Sequence, residues 1–205
     1  MSLVTIRVWG QPEFHDTLSI AIERLKAEKM DTVVQFDLPG YGLLRSDTLI
    51  GIGEVTMFQV HYLVYWRKGA TFSQKFVEYC TKDCENLVFA VSLPLEIKED
   101  TLIPWFRTHI DTILKEDIYP YIYLQRYKGV DHYDVFRPSH TPTYYIRICT
   151  VTEDIGKTVD DNDLQKEVRN FPENLNYETN RRTSLSILYH KLDEFFSILD
   201  KRFRF

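Results

Sequence analysis

Residues 131–140 read Asp-His-Tyr-Asp-Val-Phe-Arg-Pro-Ser-His and crowd Asp131, His132, Asp134, Arg137 and His140 into ten positions. Imidazole and carboxylate are common ligands of zinc and of hydrolytic metals, and histidine is the usual general base near neutral pH. The chemistry implied is a small metal-dependent hydrolase in which His132, Asp134 and His140 do the catalytic work. The spacing matches no established ligand signature, and a coordination sphere normally draws on other elements too. His61 and Glu78, on neighbouring expected strands, complete such a site only if the fold brings them close. A polar surface loop stapled by Asp–Arg and His–backbone hydrogen bonds accounts for the same residues without any chemistry.

A second constellation is aromatic. Tyr119, Tyr121, Tyr123 and Tyr127 fall on one face of a strand expected at 119–127, and Tyr144 and Tyr145 follow on a neighbour. Such a face can stack bases or sugars, or hold a partner protein. Tyr121, Tyr123, Tyr127 and Arg137 are accordingly the candidate binding residues, with Ile122 and Leu124 pointing to the core. Cover by another element of the same chain is the competing reading.

Other motifs carry less. Cys80 and Cys84 flank a turn but lack the further ligands of a zinc site and the spacing of a thioredoxin-type pair, so they read as ordinary small residues. No glycine pattern of a phosphate-binding loop joins a strand to a helix, and no Gly-x-Ser-x-Gly elbow is present. The acidic run 160–163 lacks the alternating ligands of an EF-hand and reads as a solvated turn.

The elements that must position these residues show period-two and period-3.6 patterns. A strand at 4–9, a helix at 16–29 and a strand at 31–38 are echoed by a strand at 87–93, a helix at 100–115 and a strand at 119–127. This order predicts duplicated β-α-β units. Leu18, Ala21, Ile22 and Leu25 form the apolar stripe of the first helix, and Phe106, Ile110, Ile113 and Leu114 that of the second. Between them, 55–66 alternates as a strand, Lys68-Gly69-Ala70 reads as a hairpin turn, and 72–80 returns. Such a meander favours an antiparallel sheet. Residues 128–142 read as an irregular loop, 143–151 as a strand and 153–163 as an acidic turn-rich stretch. Leu185, Leu188, Leu192, Phe195, Leu199 and Phe203 give a final helix its stripe, with Thr183 as cap.

Composition sets the outer bounds. The chain has 205 residues, 44% hydrophobic and 27% charged, with a formal net charge of −5. That charge disfavours a protein that coats nucleic acid. No apolar run approaches the roughly 20 residues of a membrane-spanning helix, and no secretory leader is expected from an N-terminus that alternates at once. Three cysteines give no disulfide framework, so cytoplasmic residence is the expectation. The expected fold is α+β: an antiparallel or mixed sheet with two long covering helices and a C-terminal helix. Residues 1–205 form one domain in this reading, with 155–205 a mainly helical extension packed on it. The expected function is a non-catalytic binding or protein-interaction module, using the Tyr-rich face and the C-terminal helix. The partner is a protein, a second copy or a small molecule. No cofactor, nucleic acid or membrane is implied.

Overall fold

A computed structural model describes residues 7–8, 15–28, 30, 32–38, 46–49, 53–81, 87–98, 101–138 and 142–203. In chain order its elements are β1 (Arg7–Val8), α1 (His15–Ala27), β2 (Thr32–Leu38), β3 (Ser46–Leu49), β4 (Gly53–Arg67), β5 (Ala70–Thr81), β6 (Leu87–Val91) and β7 (Leu95–Ile97). There follow α2 (Leu102–Ile113), β8 (Ile122–Tyr127), β9 (Val130–Val135), β10 (Thr143–Thr150), β11 (Asp154–Asp160), α3 (Tyr177–Asn180) and α4 (Ser184–Leu199). Among the described residues nine strands make one sheet of order β1-β6-β5-β4-β2-β10-β11, with β3 paired to β4 and β7 to β5. Its described pairings are all antiparallel.

The β4–β5 hairpin forms the centre of the sheet, and its turn is legible in the residues. Lys68 and Gly69 both take positive φ, 48° and 86°, as a two-residue type I′ turn requires. Arg67 and Ala70 close the ladder above it. Alternate residues of β4 then serve opposite faces. Val60, Tyr62 and Val64 join Val34, Phe36, Ile146 and Ile148 under α2 and α4. Leu63 and Tyr65 join Val33, Phe76 and Cys149 under α1, which contributes Ile22 and Leu25.

The face beneath α4 is an aromatic stack. Phe36 lies flat against Tyr144 and Phe196, with ring centroids 5.7 and 5.8 Å apart, and Tyr62 stacks on Phe196 at 4.1 Å. Both ends of α4 are tied. The Thr183 hydroxyl accepts from the Ser186 amide at 3.0 Å, the cap expected from sequence. At the other end Asp200 accepts from the Tyr62 hydroxyl and from Lys75 Nζ, both at 2.6 Å. The apolar stripe of α4 is therefore spent on its own sheet.

Three expectations change. The covering helices do not act as a pair: α1 lies on one face, while α2 and α4 share the other. The β-α-β order is not duplicated in space. β2 is central to the large sheet, whereas β8 leaves it to pair with β9 in a separate two-stranded sheet. The region expected to be a helical extension from 155 onward begins as β11, because Ile155 to Asp160 find a ladder on β10.

Truncation of Phe196 to Ala removes the ring shared by Phe36 and Tyr62 and is expected to cost about 3–5 kcal/mol. Ile198→Ala, two residues along on the exposed side, is expected to stay within about 0.5 kcal/mol of the parent. Urea denaturation of the two variants checks both figures.

Candidate functional site

The face of the sheet beneath α1 carries polar residues that are themselves buried. Odd-numbered positions of β2 and β4 point there, so Gln35 and Asp37 come from β2 and Gln59 and His61 from β4. Asp37 stands opposite His61, and Gln59 opposite Glu78 on β5. His61 Nδ1 lies 2.8 Å from Asp37 Oδ1, and His61 Nε2 lies 2.9 Å from Glu78 Oε1. His61 is 3% exposed, Glu78 1% and Asp37 7%, so two carboxyl groups and an imidazole share one buried layer. Gln35 Nε2 donates to both Asp37 oxygens, at 2.9 and 2.8 Å. A cavity of about 430 Å³ opens beside the trio, walled in part by Leu18 and Ser19 of α1 and by Gln59 and Tyr145.

Burial alone would keep His61 neutral. Its two carboxylate neighbours outweigh that pull and raise it to about 9, so the ring is an imidazolium at neutral pH. Glu78 is also raised: burial pushes hardest, Asp37 adds to it, and His61 opposes both. Both ring nitrogens face carboxylates, so none is turned to a nucleophile as a hydrolytic triad requires.

A second ion cluster bounds the cavity on the β10 side. Arg147 Nε and Nη2 grip Asp154 at 2.8 and 2.9 Å, and Lys26 reaches the same carboxylate at 2.9 Å. The Arg147 contact, helped by Lys26, holds Asp154 well below the usual carboxylate range. Gly156 lies opposite Arg147 on β11, and a Cβ there would collide with the Tyr145 hydroxyl. Glycine is thus what lets the Tyr145 ring occupy that position.

The residues singled out from sequence lie elsewhere. The stretch expected as an irregular loop is β9, paired residue by residue with β8 across a Lys128-Gly129 turn of φ 51° and 82°. Its strand character was hidden because β9 is exposed throughout and has no alternating apolar face. His132 and Asp134 project from one side of this ribbon with Tyr123 and Tyr127, while Asp131 projects from the other and lies 3.6 Å from Arg126. They do not converge in a cleft, and His140 lies outside the described residues. Among the described residues no group of three or more His, Cys, Asp or Glu is arranged to hold a metal ion. His61 and Glu78 do meet, but with Asp37 in the main sheet rather than with the 131–140 segment.

The tyrosines divide. Tyr121 is fully buried, its hydroxyl donating to the Pro172 carbonyl at 2.5 Å, so it cannot serve at a surface. Tyr123 is half-buried against Phe171, and Tyr127 is exposed. Leu124, expected in the core, is exposed. Arg137 lies at the root of the ribbon, beside a separate cavity that it shares with Asp163. Burial raises Asp163 to about 6, while a hydrogen bond from the Tyr121 amide opposes it. Cys80 is disulfide-bonded, a correction to its reading as an ordinary residue, and Cys84 lies outside the described residues. Cys149 is free, and burial pushes its thiol up to about 11, which leaves it unreactive at neutral pH.

Asp37 and Gln35 escaped the sequence reading because single polar residues in an apolar strand carry no motif. The signal that was available is the placement of Gln35 and Asp37, then Gln59 and His61, at alternate positions of two otherwise apolar strands.

No known protein family, no curated protein and no solved structure matches the chain. Among the described residues no helix is long and apolar enough to cross a membrane.

The raised His61 makes stability depend on pH. Its folded value of about 9 exceeds the ordinary 6.5, so the stabilisation is complete below about pH 6.5 and is lost as pH rises through 9. The expected loss over that interval is on the order of 3 kcal/mol. His61→Gln should be less stable than the parent at about pH 6 and should flatten the profile. Urea denaturation across the interval measures both, and a flat parent profile would show that the ring is neutral in the fold.

Proposed function

We propose that this chain is a non-catalytic binding module that engages a protein partner through the β8–β9 ribbon. The observation that carries the proposal is the ribbon's exposure on both faces: Tyr133 is 71% and Tyr127 60% exposed, and Leu124, Val130 and Val135 are exposed with them. An isolated two-stranded hairpin is marginal in water, and apolar residues on both of its faces gain nothing from solvent.

The root of the ribbon supports a docking role because it is held rigidly. The Leu175 amide donates to the Ile122 carbonyl at 2.8 Å, and the Phe136 amide to the Tyr121 carbonyl at 2.9 Å. Phe136 packs on Phe171 with centroids 4.3 Å apart. Asn180 brackets Tyr119 from both sides, accepting from its amide at 3.0 Å and donating to its carbonyl at 2.7 Å. A fixed root and a projecting tip lower the ordering cost of association.

The chemistry of the tip favours protein over nucleic acid. Arg126 and Lys128 are balanced by Asp131 and Asp134, so the ribbon has no net formal charge to neutralise phosphates. Exposed tyrosines are common anchors of protein interfaces. Among the described residues β8 and β9 pair only with each other, which leaves a strand edge for a partner to extend. The stripe of α4 is buried in the chain's own core, so the ribbon carries the proposal alone.

A photo-crosslinking side chain at Tyr133, compared with one at the exposed Ile198, tests the assignment in source cells. Adducts of one defined mass are expected at Tyr133, absent at Ile198, and lost when Leu124→Asp and Val135→Asp are added. An adduct of two chains would identify the partner as a second copy. No adduct at Tyr133, or one that survives the double substitution, would overturn the proposal.

A further inference from the structure

The cavity beside Asp37, His61 and Glu78 makes a demand of its own, independent of the ribbon. Glu78 spends Oε1 on His61, and its Oε2 is buried with no hydrogen-bond partner among the described residues. Gln35 is in the same condition. Its Nε2 donates to both oxygens of Asp37, which fixes the orientation of the amide and leaves Oε1 buried and without a partner among the described residues. Glu78 is 1% exposed and Gln35 5%, and both line the cavity. A buried acceptor without a donor is costly, and a buried carboxylate oxygen most of all.

Both unmet valences are acceptors, so whatever completes the site must bring donors. The basic side chains of the lining do not supply them: His61 Nε2 faces Oε1 of Glu78, and the Arg147 guanidinium is committed through Nε and Nη2 to Asp154. The lining mixes acidic and basic groups, Asp37 and Glu78 with His61 and Arg147, so its overall charge does not select the ligand; the unmet Glu78 oxygen does, because a charged N–H donor bonds a carboxylate more strongly than a neutral one does. The volume, about 430 Å³, lies in the range of small-ligand sites. Tyr145 adds an aromatic wall of the kind that favours a cationic group. We propose that this cavity binds a small organic cation bearing N–H donors, an amidinium, guanidinium or alkylammonium group, seated on Glu78 Oε2.

Calorimetric titration of the full chain with benzamidine, methylguanidine and butylamine tests this, each against its neutral counterpart of similar shape: benzamide, methylurea and butanol. At least one cation is expected to bind saturably in the millimolar range or tighter, with its neutral counterpart at least about tenfold weaker. Glu78→Gln is expected to weaken that cation about tenfold or more. Because Glu78→Gln disturbs the trio and can impair folding, Ser19→Phe fills the cavity from α1 without replacing a member of the trio and is expected to abolish binding. Circular dichroism establishes that each variant is folded. The absence of saturable binding by all three cations would overturn the site. Equal binding of a cation and its neutral counterpart would overturn the cation assignment. Binding that persists in Ser19→Phe, or in a folded Glu78→Gln, would overturn the location. A crystal soaked in the tightest-binding of the three cations that shows only water against Glu78 would overturn the proposal as well.

Discussion

A strand buried on both faces must satisfy two environments at once, because its side chains alternate strictly across the sheet. β2 is the extreme case, buried from Thr32 to Asp37. Its even positions, Val34 and Phe36, enter the apolar layer beneath α4, while Val33, Gln35 and Asp37 enter the layer beneath α1. Once Asp37 is buried there, the register of β4 and β5 dictates the rest. An uncompensated carboxylate in that layer would be strongly destabilising. His61 directly opposite, and Glu78 diagonally beyond it, turn a liability into a three-centre ion pair.

That arrangement explains the unequal treatment of the two faces. The α4 side is packed with aliphatic side chains and with rings that lie flat against one another, and the Tyr62 hydroxyl at its edge donates to Asp200. The α1 side is apolar only where Ile22 and Leu25 meet Leu63, Tyr65 and Phe76. Toward Leu18 and Ser19 it becomes polar and stops being close-packed, and a cavity opens there. Aliphatic and aromatic side chains interdigitate in many ways, whereas a carboxylate–imidazole–carboxylate row is confined to placements that bring its acidic and basic groups together.

The β8–β9 ribbon obeys the opposite rule. Neither face is buried along most of its length, so no core specifies its register, and a type I′ turn with a rigid root does so instead. Such an element keeps its geometry while its surface residues remain available, as loops grafted on a scaffold do.

Much of the scaffold was legible in the residues themselves. Alternation predicts β4 and its Lys68-Gly69 turn, and the 3.6-residue stripes of α1, α2 and α4 and the Thr183 cap follow from local pattern. Those features depend on neighbours within a few positions, which sequence displays directly. The pairing of β8 with β9 was not legible, because a strand solvated on both sides has no hydrophobic period to read. Nor was it visible that β8 leaves the large sheet, since strand–helix–strand order does not say which edge the returning strand will find. The meeting of Asp37, His61 and Glu78 was decided by tertiary structure alone. They are 24 and 17 positions apart along the chain. Only the antiparallel register of three adjacent strands converts that separation into contacts of 2.8 and 2.9 Å.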